Sequence, residues 1–134
     1  MILENIALPV GIIKGRTALD VKTIKLVSES SLELCLSVDN RKCSMPLKGD
    51  IRYFELKVII DKMLFFKMQN NEFLPNLHTN SCLSEILDSE LVKENTEIQS
   101  NLRHIIITTY DSIFEIICSS MKFDILPLSY TDID

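Results

Sequence analysis

Residues 31–38 read Ser-Leu-Glu-Leu-Cys-Leu-Ser-Val, with Leu32, Leu34, Leu36 and Val38 at every second position. A period of two is that of a β-strand, and it places the four apolar side chains on one face and Ser31, Glu33, Cys35 and Ser37 on the other. On a helix the same spacing would point successive side chains to opposite sides and build no stripe. This segment therefore commits the chain to a sheet with one face on a core. Just before it, Ile24 and Leu26 alternate with Lys25 and Val27, which predicts a hairpin turning at Ser28–Ser30. Asp39 and Asn40 then favour a turn, because short Asx side chains bond their own backbone. A third strand is expected over residues 41–47, with Cys43, Met45 and Leu47 on one face and Pro46 restricting it to an edge.

A second strand pair flanks Tyr110-Asp111, one member over residues 103–109 and the other over 112–118. His104, Ile106 and Thr108 alternate with Ile105 and Ile107, so both faces are apolar and the strand is expected to be central. Residues 51–68 carry two patterns. Tyr53, Leu56, Ile60 and Met63 approach a helical stripe, whereas Leu56, Val58 and Ile60, then Leu64, Phe66 and Met68, alternate. Aromatic and β-branched content favours two strands joined near Asp61-Lys62. Asn-rich residues 69–80, with Pro75, read as loop. Leu83, Ile86, Leu87 and Leu91 recur at helical spacing, which predicts a helix over residues 81–94 capped by Ser81, with a second start at Ser89. Phe123 and Ile125 suggest a last short strand, and the tail from Pro127 is expected to fray. The expected fold is α+β, a single domain over residues 1–134. It is mainly an antiparallel β-sheet or partly closed barrel with one short covering helix.

Composition narrows the function. Among 134 residues there are only 3 Gly, and no phosphate-cradling Gly-rich loop is present. Hydrophobic residues at 46% and charged residues at 25% suit a chain with a real core rather than a disordered one. Lys and Arg number 14 and Asp and Glu 19, for a net charge of −5. Residues 1–67 carry +3 and residues 68–134 carry −8. So negative a second half repels nucleic-acid phosphates and attracts cationic proteins. The 4 cysteines, Cys35, Cys43, Cys82 and Cys118, lack the spacing of a zinc or redox motif. Cys35 and Cys118 are expected to act as small buried hydrophobes. His78 and Cys82 lack two further ligands, so neither a metal nor a cofactor is expected. No run reaches the roughly 18 apolar residues of a membrane span, and residues 1–13 lack the basic leader of a secretion signal. The expected compartment is the cytoplasm.

No catalytic constellation is apparent. His104 could serve as a base, but spacing alone places no nucleophile or carboxylate beside it, and a lone His on an apolar strand reads first as a core residue. Asp111 at a turn and Glu115 on a sheet face likewise have structural explanations. The distinctive cluster is Glu85, Asp88, Glu90, Glu94 and Glu97, five carboxylates interrupted only by Lys93. On the predicted helix, positions 85 and 88, and 90 and 94, would be repelling neighbours that a cationic partner relieves. Asp111, on the neighbouring hairpin, completes the expected partner-binding set.

Residues 81–90, Ser-Cys-Leu-Ser-Glu-Ile-Leu-Asp-Ser-Glu, precede residues 102–118, Leu-Arg-His-Ile-Ile-Ile-Thr-Thr-Tyr-Asp-Ser-Ile-Phe-Glu-Ile-Ile-Cys. A short helix with a Ser-x-Leu-x-Glu core, a Leu-basic-His strand, Tyr-Asp and a Phe-Glu-Ile strand together resemble small bacterial α+β proteins that include immunity proteins of toxin–immunity pairs. The resemblance departs at Cys82, where a large aromatic residue is expected, and does not extend to the residues before Gly49. It implies a non-enzymatic protein that neutralises a basic toxin domain, a nuclease, by occluding its active site. The alternative is a small-molecule or nucleotide-binding module, such as a phage-encoded signal sponge, with Arg41, Lys42, Lys48 and Arg52 holding phosphates.

Overall fold

The computed structural model describes residues 1–70 and 81–127. Within them lie β1 (Leu3–Asn5), β2 (Leu19–Ser28), β3 (Ser31–Asp39), β4 (Tyr53–Asn70), β5 (Leu83–Ile86), α1 (Glu90–Asn95), β6 (Arg103–Thr108) and β7 (Ser112–Pro127). The seven strands among the described residues form one sheet in the order β1-β5-β6-β7-β4-β3-β2, and every pairing is antiparallel. The architecture is α+β, a mostly antiparallel open sheet with one short helix among the described residues.

The spine is the pair β4 and β7, in register from Phe54–Pro127 at one end to Asn70–Ser112 at the other. β3 lies along the first half of β4, and β6 along the first half of β7. Residues 51–68 are thus strand, but one strand rather than two. A register shift between Met63 and Phe65, just after Lys62 at φ 51, leaves Leu64 as the extra residue of a bulge that bends the strand without ending it. Likewise Phe123 and Ile125 belong to the far half of β7 and form no separate strand. The predicted β2–β3 hairpin and the β6–β7 pair around Tyr110-Asp111 are both present.

The alternation read from β3 becomes the core. Leu32, Leu34, Leu36 and Val38 pair with Ile60, Val58, Leu56 and Phe54 of β4, and all eight are buried. Ile105 and Ile107 of β6 and Phe114, Ile116 and Cys118 of β7 continue the same cluster. β6 is central, and on its other face His104 and Ile106 are also buried.

Several local expectations are corrected. Residues 81–94 do not form one helix, because residues 83–86 are strand β5, paired from Leu83–Ile107 to Ile86–His104. Strand pairing supplies these backbone groups with partners on β6, a gain that local spacing cannot register. Accordingly Ser81 caps no helix. Its hydroxyl donates to Leu83 O instead, and Ser89 caps α1. The helix does not cover the core, since none of its six residues is buried. Val10, Ile13 and Ala18 of the N-terminal segment join the core cluster instead. Residues 41–47 are not a strand. Asn40–Lys42 form a 3-10 turn, and the Asn40 side chain accepts from Leu47 N and donates to Leu47 O and Ile51 O, which holds a loop. Pro46 has no N–H to give a ladder, and Met45 is 65% exposed. Of the cysteines, Cys118 is buried, whereas Cys35 is half-buried on the polar face of β3, its thiol donating to Glu55. Of the loop expected at 69–80, Gln69 and Asn70 are instead the end of β4, held by pairing with Ile113 and Ser112, while residues 71–80, His78 included, and the tail beyond Pro127 lie outside the described residues.

Candidate functional site

The outer face of β5, β6 and β7 carries a polar relay. On the β6–β7 ladder His104 pairs with Ile117 and Ile106 with Glu115, so His104 and Glu115 are diagonal neighbours on one face. The His104 Nε2 to Glu115 Oε1 distance is 2.7 Å. A carboxylate can only accept, so Nε2 carries the proton, and in the neutral imidazole Nδ1 is left as an acceptor. That nitrogen lies 2.6 Å from Ser89 Oγ, and the serine hydroxyl donates to it. The same oxygen accepts from Val92 N at 3.2 Å, capping α1. Ser89 and His104 are 6% and 5% exposed, while Glu115 is half-exposed. The hairpin register brings His104 and Glu115 together, and the short β5–α1 connection carries Ser89 to the free end of the imidazole.

The relay opens on a hollow of about 380 Å³, whose described walls include Ser89, His104, Glu115, Asp88, Glu90 and Leu91. A second hollow, of about 270 Å³, reaches Lys67, Gln69, Ile106 and Ile113. Met1, Ile86 and Glu115 line both.

The six residues expected to bind a partner do not form one patch. Glu85, on β5 rather than a helix, grips Arg103 with both oxygens, at 3.2 and 2.7 Å from Oε1 and 3.2 Å from Oε2. That hydrogen bonding raises the Arg103 pKa. Asp88 accepts from Ile2 N at 2.6 Å, and this bond lowers its carboxyl below the usual range. Glu90 pairs with Lys93 at 3.6 Å. Glu94 and Glu97 are exposed. Asp111 is exposed beyond the opposite end of β6, where Tyr110 N donates to Leu19 O and Arg16 lies over the Tyr110 ring. Asp88 and Glu90 line the hollow with Glu115, while Glu94 lies within α1 and Glu97 just beyond it. In the basic half, Arg41 is held by Asp39 at 2.9 Å and Arg52 lies over Tyr53.

Sequence reasoning singled out His104 without its partners. The hairpin at Tyr110-Asp111 contained the signal for Glu115, since its register puts the two residues on one face; nothing local indicated Ser89. Among the described residues no three His, Cys, Asp or Glu side chains converge as metal ligands would. No helix among them is long and apolar enough to cross a membrane. No protein-family model, curated protein or solved structure matches the chain.

Proposed function

We propose that this protein binds a cationic protein domain through the surface formed by α1 and its flanks, as an immunity protein that neutralises a basic bacterial toxin by covering its active site. The observation that supports this reading is the run Asp88, Glu90, Glu94 and Glu97. Three of these four carboxylates are exposed, on a six-residue helix or beside it, with Lys93 as the one cation between them. Glu115 extends the negative potential across the adjoining hollow. Repulsion among the exposed carboxylates weakens the fold slightly, whereas a cationic partner turns it into attraction and accelerates encounter by about 10 to 10³-fold. For a nuclease partner, this surface would stand in for the phosphates of its substrate, and occlusion asks no chemistry of the immunity protein.

The presenting frame is, on this proposal, a sheet curled into a partly closed barrel. The Tyr110–Leu19 bond supports that curl, since it ties the β6–β7 turn to the start of the edge strand β2. The proposed compartment is the cytoplasm, in keeping with four free thiols.

The test is calorimetric titration against the protein encoded beside this gene. We expect binding at least about 100-fold tighter than to an unrelated basic protein of similar size, which corresponds to roughly 2.7 kcal/mol. Equal affinity for the two would end the reading.

A further inference from the structure

We propose that Ser89 is a nucleophile toward small carboxylic esters with a neutral or cationic body, with His104 as its general base and Glu115 positioning the imidazole. This assignment is independent of the docking surface and rests on the relay. Glu115 fixes the proton on Nε2 and leaves the Nδ1 lone pair 2.6 Å from the Ser89 hydroxyl. Nucleophile, base and orienting carboxylate are therefore joined in the sequence that acyl transfer requires. A helix cap needs only the bond from Val92 N. It does not call for a buried imidazole, nor for a carboxylate behind that imidazole. The three groups also share a hollow of about 380 Å³, within the size range of small-ligand sites. Met1, Ile86 and Leu91 give it apolar walls, and Asp88 and Glu90 add carboxylates that disfavour anionic substrates.

In the proposed reaction Ser89 Oγ bonds to the ester carbonyl carbon as its proton passes to His104 Nδ1. The imidazolium then protonates the leaving oxygen as the carbon–oxygen bond breaks, which releases the alcohol and leaves acyl-Ser89. Water, deprotonated by His104, attacks the acyl carbon, releases the carboxylic acid and restores the serine. Ester and water go in, and acid and alcohol come out.

The test treats the full chain with a fluorophosphonate probe, followed by intact mass and peptide mapping, alongside p-nitrophenyl acetate turnover. One adduct on Ser89 is expected. Ser89→Asn keeps a capping side chain and should take no adduct. His104→Gln should slow labelling by at least about 100-fold. Glu115→Gln, at the positioning residue, should move the pH profile of labelling as well as its rate. The anionic 4-acetoxybenzoate, whose carboxylate cannot reach its own ester, should turn over more slowly than the neutral 4-acetoxybenzamide. No adduct in the wild-type protein, an adduct on another residue, or equal labelling in His104→Gln would overturn the assignment. Lys25→Glu, on the exposed face of the far edge strand β2, should leave labelling unchanged.

Discussion

Ser89 serves two partners with one oxygen, closing the first turn of α1 and reaching His104. Ser89→Ala removes the cap and strands a buried imidazole nitrogen. A loss of about 1–2 kcal/mol is expected in denaturant unfolding, typical of a lost cap. The thiols act at the other end of the pH scale. Burial pushes Cys43 and Cys118 from 9.0 to about 11. A raised folded pKa means that the unfolded chain loses these protons first. Their contribution to stability is complete below pH 9 and is lost as pH rises towards 11. The unfolding midpoint should therefore fall over that interval, and iodoacetamide at pH 8 should alkylate both thiols much more slowly in the folded protein than in urea. Asp39 has the opposite sign. Its bond from Arg41 lowers the carboxyl, so that contribution is present at neutral pH and fades as pH falls below the ordinary carboxylate value.

At the level of elements, β4 shows how a long strand survives its own bend. Lys62 takes a left-handed backbone conformation, and its carbonyl accepts from Gln99 Nε2 at 2.8 Å. The side chain of Gln99 also reaches Ser119 Oγ on β7, so the bend is clamped from the β6 side. A β-branched side chain at positive φ is strongly disfavoured. Lys62→Val should cost about 1–2 kcal/mol in unfolding free energy, whereas a valine at the exposed, negative-φ Lys122 should be nearly neutral. Segment 81–94 shows what spacing misses. Leu83, Ile86, Leu87 and Leu91 fit a helix, yet the first two lie in β5 and only Leu91 lies in α1. Six residues are too few for a helix to persist alone. Here the Ser89 cap and the bond from Asn95 Nδ2 to Leu91 O hold the turn.

Across the whole molecule, charge is segregated. The acidic run sits at the β5–α1 side, while Lys22 and Lys25 lie on the opposite edge strand, β2. Replacing Glu90, Glu94 and Glu97 together by Lys should leave the unfolding midpoint nearly unchanged, within about 0.5 kcal/mol per site, because all three side chains are exposed. The same variant should abolish partner binding. In the unmodified protein the association rate should fall steeply between low and physiological salt, as screening shortens the reach of the field. Stopped-flow association at two ionic strengths reads this directly, and a salt-independent rate would argue against electrostatic docking.

Strict alternation made β3 legible in the chain, because a period of two on a one-sided apolar surface has a single structural solution; β2 was legible from a less regular alternation, and β6 and the near half of β7 from apolar runs flanking a turn dipeptide. The turns at Ser28–Ser30 and Tyr110-Asp111 were legible for the same reason, each lying between two such runs. What the linear order could not reveal was which segments would border those strands. β5 became a strand because β6 offered an unpaired edge, and residues 41–47 stayed a loop because Asn40 gathered their backbone groups. The relay follows the same logic. The hairpin was legible but the contact of His104 with Glu115 was not read from it, and Ser89 joined them only when β5 docked on β6, since that contact depends on pairing energy between distant segments and not on the residues beside it.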